Sequence, residues 1–94
     1  MKKVIIKFAM FSIPQKVYIE DENGKISKYI MPLDKIPSFI ASLDCCDVYT
    51  YGVKPFCAKL EKDVCTNFNK NNICWHYNDK DKINDIVHKA GLDQ

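Results

Sequence analysis

Cys57, Cys65, Cys74 and His76 have the side-chain types of a Cys3His zinc centre. Their spacing does not serve one well. There is no C-x-x-C pair, and Cys57 and Cys65 stand two helical turns apart, too far to share an ion without distortion. Core cysteines are the preferred account, so no metal and no cofactor are expected. Cys45 and Cys46 sit just before the strand Asp47–Tyr51, and since adjacent residues of a strand point opposite ways, one thiol would face water as a redox or nucleophilic group. Asp44 and Asp47 flank them, and neighbouring negative charge disfavours the thiolate. A Cys74–His76 nucleophile pair would need an orienting group and an oxyanion site, and the sequence offers neither. His88 falls in the last turn of the final helix, where the helix dipole favours a cation. No catalytic residue is assigned, and the chain is not expected to be an enzyme.

The second chemical candidate is the run Gly52-Val53-Lys54-Pro55, which joins a strand end to a helix start. A helix N-terminus offers free N–H groups to an anion, and α/β folds place ligands at the carboxyl ends of parallel strands. Tyr49, Tyr51, Gly52 and Lys54 are therefore the candidate ligand-binding residues, with Trp75 and Tyr77 as neighbours on the next strand. One glycine is far from a phosphate-binding fingerprint, and proline removes a donor. The favoured alternative is that these aromatics form the core beneath the helices.

The elements that would position these residues centre on Asp44–Asp79. Asp47–Tyr51 is β-branched and aromatic, as in a half-buried strand. Gly52 makes the turn, and Pro55 suits a first helical turn. Phe56, Leu60, Val64 and Phe68 then recur at helical spacing, with Cys57 and Cys65 alongside. Asn67, Asn69, Asn71 and Asn72 end that helix, and Ile73–Tyr77 is a further strand. Such a strand–helix–strand unit forms a right-handed parallel crossover.

The N-terminal half is different. Lys3–Ile13 is nearly continuous apolar sequence, the pattern of a central strand covered on both faces. Pro14 ends it. Lys16–Glu20 and Ile26–Met31 alternate across the Asn23-Gly24 turn, a strong hairpin signal. After Pro32, Asp34 is the expected cap of a helix whose stripe is Ile36, Phe39, Ile40 and Leu43. At the C-terminal end Asp79 or Asp81 caps a helix carrying Ile83, Ile86, Val87 and Ala90, which Gly91 stops. The expectation is one α/β domain over residues 1–94, ordered β-β-β-α-β-α-β-α, with an antiparallel three-strand meander followed by parallel β-α-β.

This order resembles the ribonuclease-H-like fold, in which strand one is central and pairs with strand four. The resemblance lies in element order alone and covers nearly the whole chain. It implies metal-binding acids within strand one, on the first helix and at the end of strand four. Here strand one carries Lys7 and Ala9 and no acid, strand four ends Tyr51-Gly52, and Asp34 and Asp44 lie at the ends of the first helix. Two-metal hydrolysis needs clustered carboxylates, so nuclease activity is not expected.

Composition sets the remaining bounds. The chain has 94 residues, 47% hydrophobic and 28% charged, with net charge +2, which fits an ordinary globular domain. All 14 of its Lys/Arg residues are lysine, so forked guanidinium contacts to phosphate or guanine are not its means of recognition. Five cysteines without a framework spacing suit free thiols in a reducing, cytoplasmic setting. Lys7 interrupts the first apolar run and no cleavage site follows, against a signal peptide, and nothing approaches the length of a membrane span. The lysine-, isoleucine- and asparagine-rich composition looks like that of small accessory proteins of phages and mobile elements. The expected function is a non-catalytic interaction protein, binding a protein partner or itself through the edge strand Ile26–Met31. Nucleic acid is the alternative partner, held by Lys2, Lys3, Lys7, Lys16, Lys25 and Lys28, and a small ligand at the Gly52 turn is the third.

Overall fold

Val4, Ile5 and Ile6 are all fully buried, so the first strand has no wet face. A strand that buries consecutive residues in this way has both faces of its sheet covered. The computed structural model describes residues 2–8, 14–52 and 54–89, the side chains of Cys45, Cys46 and Val87 excepted. Its elements are β1 (Lys2–Lys7), β2 (Gln15–Glu20), β3 (Ile26–Met31), α1 (Ile36–Ser42), β4 (Cys45–Tyr51), α2 (Lys54–Lys62), β5 (Cys74–Tyr77) and α3 (Lys80–Lys89). The strands form one sheet in the order β3-β2-β1-β4-β5. β1, β2 and β3 are an antiparallel meander, and β4 and β5 run parallel to β1. The fold class and element order expected from the sequence are those of the structure.

The two faces carry separate cores. Val4, Ile6, Val17, Ile19 and Val48 pack under α1 and α2, against Ile36, Ile40, Cys57 and Leu60. Ile5, Tyr18 and Tyr49 pack on the opposite face, against Ile83 and Ile86 of α3. Fully burying one aliphatic side chain of this kind contributes about 1.5–3 kcal/mol.

Several boundaries differ from expectation. β1 ends at Lys7, with Phe8 still in the core, and residues 9–13 lie outside the described residues. Asp34 does not cap α1. It sits in a 3-10 turn, Leu33–Lys35, that precedes the helix, and neither start has a side-chain cap. Phe68 leaves the α2 stripe and is 44% exposed. The chain passes through a π turn, Asp63–Asn67, whose wider spacing rotates the following residue off the buried line. Asn69 then takes φ +53°, a left-handed conformation asparagine tolerates. Of the two acids offered for α3, Asp79 is the cap, accepting from the Lys82 N–H at 3.2 Å. Ala90 and Gly91 lie outside the described residues.

Thr50 is fully buried, and its Oγ1 has no hydrogen-bond partner among the described residues. A buried hydroxyl left unsatisfied costs about 1–3 kcal/mol. Thr50→Val keeps the shape and removes that oxygen, so it should stabilise the protein by about 1 kcal/mol. The check is a higher urea midpoint at unchanged slope. A lower midpoint would show that the hydroxyl is satisfied after all.

Candidate protein-binding edge

The alternation of a hairpin determines which backbone groups its outer strand leaves free. In the β2–β3 hairpin the Asp21 N–H donates to the Lys25 carbonyl at 3.0 Å, which makes 21/25 a hydrogen-bonded pair. Such pairs recur at every second position along an antiparallel ladder. The register therefore makes Ile19/Ser27, Val17/Tyr29 and Gln15/Met31 the bonded pairs. The N–H and C=O groups of Ile26, Lys28 and Ile30 point away from β2. No strand lies beyond β3 among the described residues.

The side chains at this edge are unusually apolar for their exposure. Tyr29 is 43% and Ile30 57% exposed. Tyr29 lies against Phe39 of α1, ring centroids 5.3 Å apart. Met31, half-buried, continues the same side, and a groove of about 370 Å³ floored by Leu33, Pro37, Phe56 and Leu60 follows beyond Pro32. Edge strands are normally blunted by charge, proline, bulges or shortness. β3 has six residues and one charge, Lys28. The other edge strand, β5, has four residues.

Register also settles where the lysines fall. Lys7 pairs with Lys16, Lys16 with Ile30, and Tyr18 with Lys28. Lys3, Lys7, Lys16 and Lys28 thus share the α3 face of the sheet. Lys3 stands between Glu20 and Asp47 in register, while Lys7, Lys16 and Lys28 have no acid opposite them. Lys2 alternates to the other face. Lys25 lies in the turn.

The turn candidates are divided by the sheet. Tyr49 is buried and Tyr51 half-buried on the α3 side, whereas Lys54 is exposed at the start of α2, which packs on the opposite face. Trp75 and Tyr77 are not neighbours of these tyrosines. β5 pairs Tyr49 with His76 and Thr50 with Tyr77, which turns Trp75 and Tyr77 to the α1/α2 face. The Gly52 N–H, the donor an anion at this turn would use, donates to Asn78 Oδ1 at 3.1 Å.

The sheet also separates the metal-type residues. Cys57 is buried under α2, while Cys74 and His76 lie on the α3 face. Among the described residues no group of three or more His, Cys, Asp or Glu side chains is placed to hold an ion. Of the adjacent pair Cys45–Cys46 only the backbone is described. His88 is exposed in the last turn of α3.

Sequence reasoning missed three interactions that tie β5 in place. His76 Nε2 lies 2.9 Å from Asp47 Oδ1, and its ring stacks on Tyr49 with centroids 4.3 Å apart. These partners are 29 residues from His76 in the first case, and no local pattern links them. Tyr77 donates its hydroxyl to Glu61 Oε1 at 2.6 Å. Burial, then that hydrogen bond, pushes the Tyr77 pKa well above its ordinary 10. A raised tyrosine pKa favours the neutral folded form, so its contribution is fully present below pH 10 and falls as pH rises further. Tyr77→Phe should cost about 1 kcal/mol at pH 8. The gap between the two proteins should narrow in urea unfolding at pH 10.5. A gap of constant size would exclude this role for Tyr77.

No helix among the described residues is long and apolar enough to cross a membrane. No protein family, curated protein or solved structure matches this chain.

Proposed function

We propose that this chain is a non-catalytic protein-binding domain that takes an extended segment of a partner onto the free edge of β3. The observation that carries this reading is the outward backbone of Ile26, Lys28 and Ile30, flanked by the exposed Tyr29 and Ile30 side chains. Strand addition derives affinity from main-chain hydrogen bonds and specificity from alternate side chains. A role as a phage or mobile-element accessory that blunts a host activity is a narrower form of this reading, supported by composition. Kinship with the ribonuclease-H-like fold is likewise a proposal, supported by a central β1 beside β4.

The test is selection of peptides from a displayed random library on the wild-type protein, with Ile30→Pro as the counter-target. Proline there removes an outward donor and leaves the β2–β3 ladder intact, which circular dichroism would verify. Selected peptides should bind Ile30→Pro at least tenfold more weakly. Equal binding to both proteins would place the contact elsewhere and end the edge reading.

The lysines of the α3 face favour nucleic acid as a second reading. Single-strand binding also uses exposed aromatics on the charged surface. The exposed ring at this edge, Tyr29, lies on the opposite face from Lys16 and Lys28, which favours protein. Elution from heparin in low salt would remove the second reading.

A further inference from the structure

The partner of the β3 edge can be described more closely than as an extended segment. We infer that it is a strand of another protein with an acidic side chain at its centre, set opposite Lys28 between two apolar residues. This rests on the edge reading above.

The free groups of Ile26, Lys28 and Ile30 alternate along the strand, so a segment of five or six residues satisfies them all. Register assigns its side chains. On the α3 face they meet Ile26, Lys28 and Ile30. On the other face they meet Ser27, Tyr29 and Met31, with the Phe39 ring behind Tyr29. Charge determines the central position. Lys28 is exposed and is the one charge on β3; in register it stands beside Tyr18, with Lys16 and Glu20 as the same-face neighbours on either side along β2. Glu20 is opposite Ile26 and Lys3, so Lys28 has no acid directly opposite it in register. An incoming carboxylate opposite Lys28 supplies the missing charge. Apolar neighbours cover Ile26 and the exposed Ile30.

A second copy of this chain is a poorer occupant. Two β3 strands related by a two-fold axis use all three outward residues in one antiparallel register only. That register sets the two Lys28 side chains against each other, and like charges directly opposite are destabilising. Shifting one step in one direction drops Ile26 against Pro32, which has no N–H. Shifting in the other carries Ile30 past the end of the strand, opposite Gly24.

The test uses two capped peptides, Thr-Val-Tyr-Glu-Tyr-Val-Thr and the same with lysine at the centre. Both read alike in either direction, so parallel and antiparallel addition are probed together. The wild-type protein should bind the glutamate peptide about fivefold more tightly than the lysine peptide. Lys28→Glu should reverse that order, and Ile30→Pro should lose both. Equal binding of the two peptides, unchanged by Lys28→Glu but lost in Ile30→Pro, would overturn the acidic partner and leave the edge reading standing. Sedimentation as a dimer that Ile30→Pro dissociates would assign the edge to a second copy and overturn it too. Equal binding that survives Ile30→Pro would overturn both.

Discussion

Gly52→Ala should destabilise the protein by about 3–4 kcal/mol, lowering its midpoint of thermal unfolding by about 20 °C. Gly52 has φ +134°, a backbone region that side-chain-bearing residues rarely adopt. A Cβ added there would also lie 2.6 Å from the Phe8 carbonyl oxygen and 2.9 Å from Phe8 Cβ. The Phe8 backbone is in no position to yield, because its N–H donates to the Tyr51 carbonyl at 2.8 Å. Strain and clash therefore add. Gly24 is the control. Its φ is +81°, but nothing lies within 4 Å of an added Cβ, so Gly24→Ala should cost only about 1 kcal/mol. Denaturant unfolding of the two variants gives the comparison. Similar losses for both would mean that the approach of Phe8 carries no weight. For a domain of this size, with about 5–14 kcal/mol in total, the expected loss is a large share.

Proline at two adjacent positions of β3 should behave quite differently. Tyr29 donates its N–H to β2, opposite Val17, so Tyr29→Pro breaks the ladder and should cost about 3 kcal/mol or more. Ile30 turns its N–H outward, so Ile30→Pro should cost about 1 kcal/mol while removing the docking donor. Hydrogen exchange checks this directly. The β2 and β3 amides should lose protection in the first variant and keep it in the second. Equal loss in both would mean that the alternation runs the other way. The exposure of Tyr29 makes it the obvious residue to change at this edge. The register shows that its side chain is accessible while its backbone is engaged.

That contrast marks how far the sequence was legible. The apolar run from Lys3, the Asn23-Gly24 turn and the Gly52-to-Pro55 junction reflect local rules, and each yields the element expected. β3 as an edge strand follows from element order. What does not follow is anything that depends on the offset between two strands. A shift of one residue moves every side chain to the other face. Trp75 and Tyr77 therefore appeared to sit beside Tyr49 and Tyr51, whereas the observed register gives that place to His76. Phe68 left its stripe because a π turn has no sequence signature at this length. The lysines of the first three strands were legible as a group, but not which of them share a face.

The central position of β1 also shapes the order in which the chain can assemble. Its contacts with β2 close over a short loop, so the meander can form early. Its contacts with β4 span about forty residues and carry a larger closure entropy. Until β4 arrives, β1 presents Val4 and Ile6 along an unprotected flank. The early species would thus be sticky on two sides at once, on one flank only until the crossover docks and on the other permanently. Refolding yield should therefore fall with protein concentration even where the native state stays soluble.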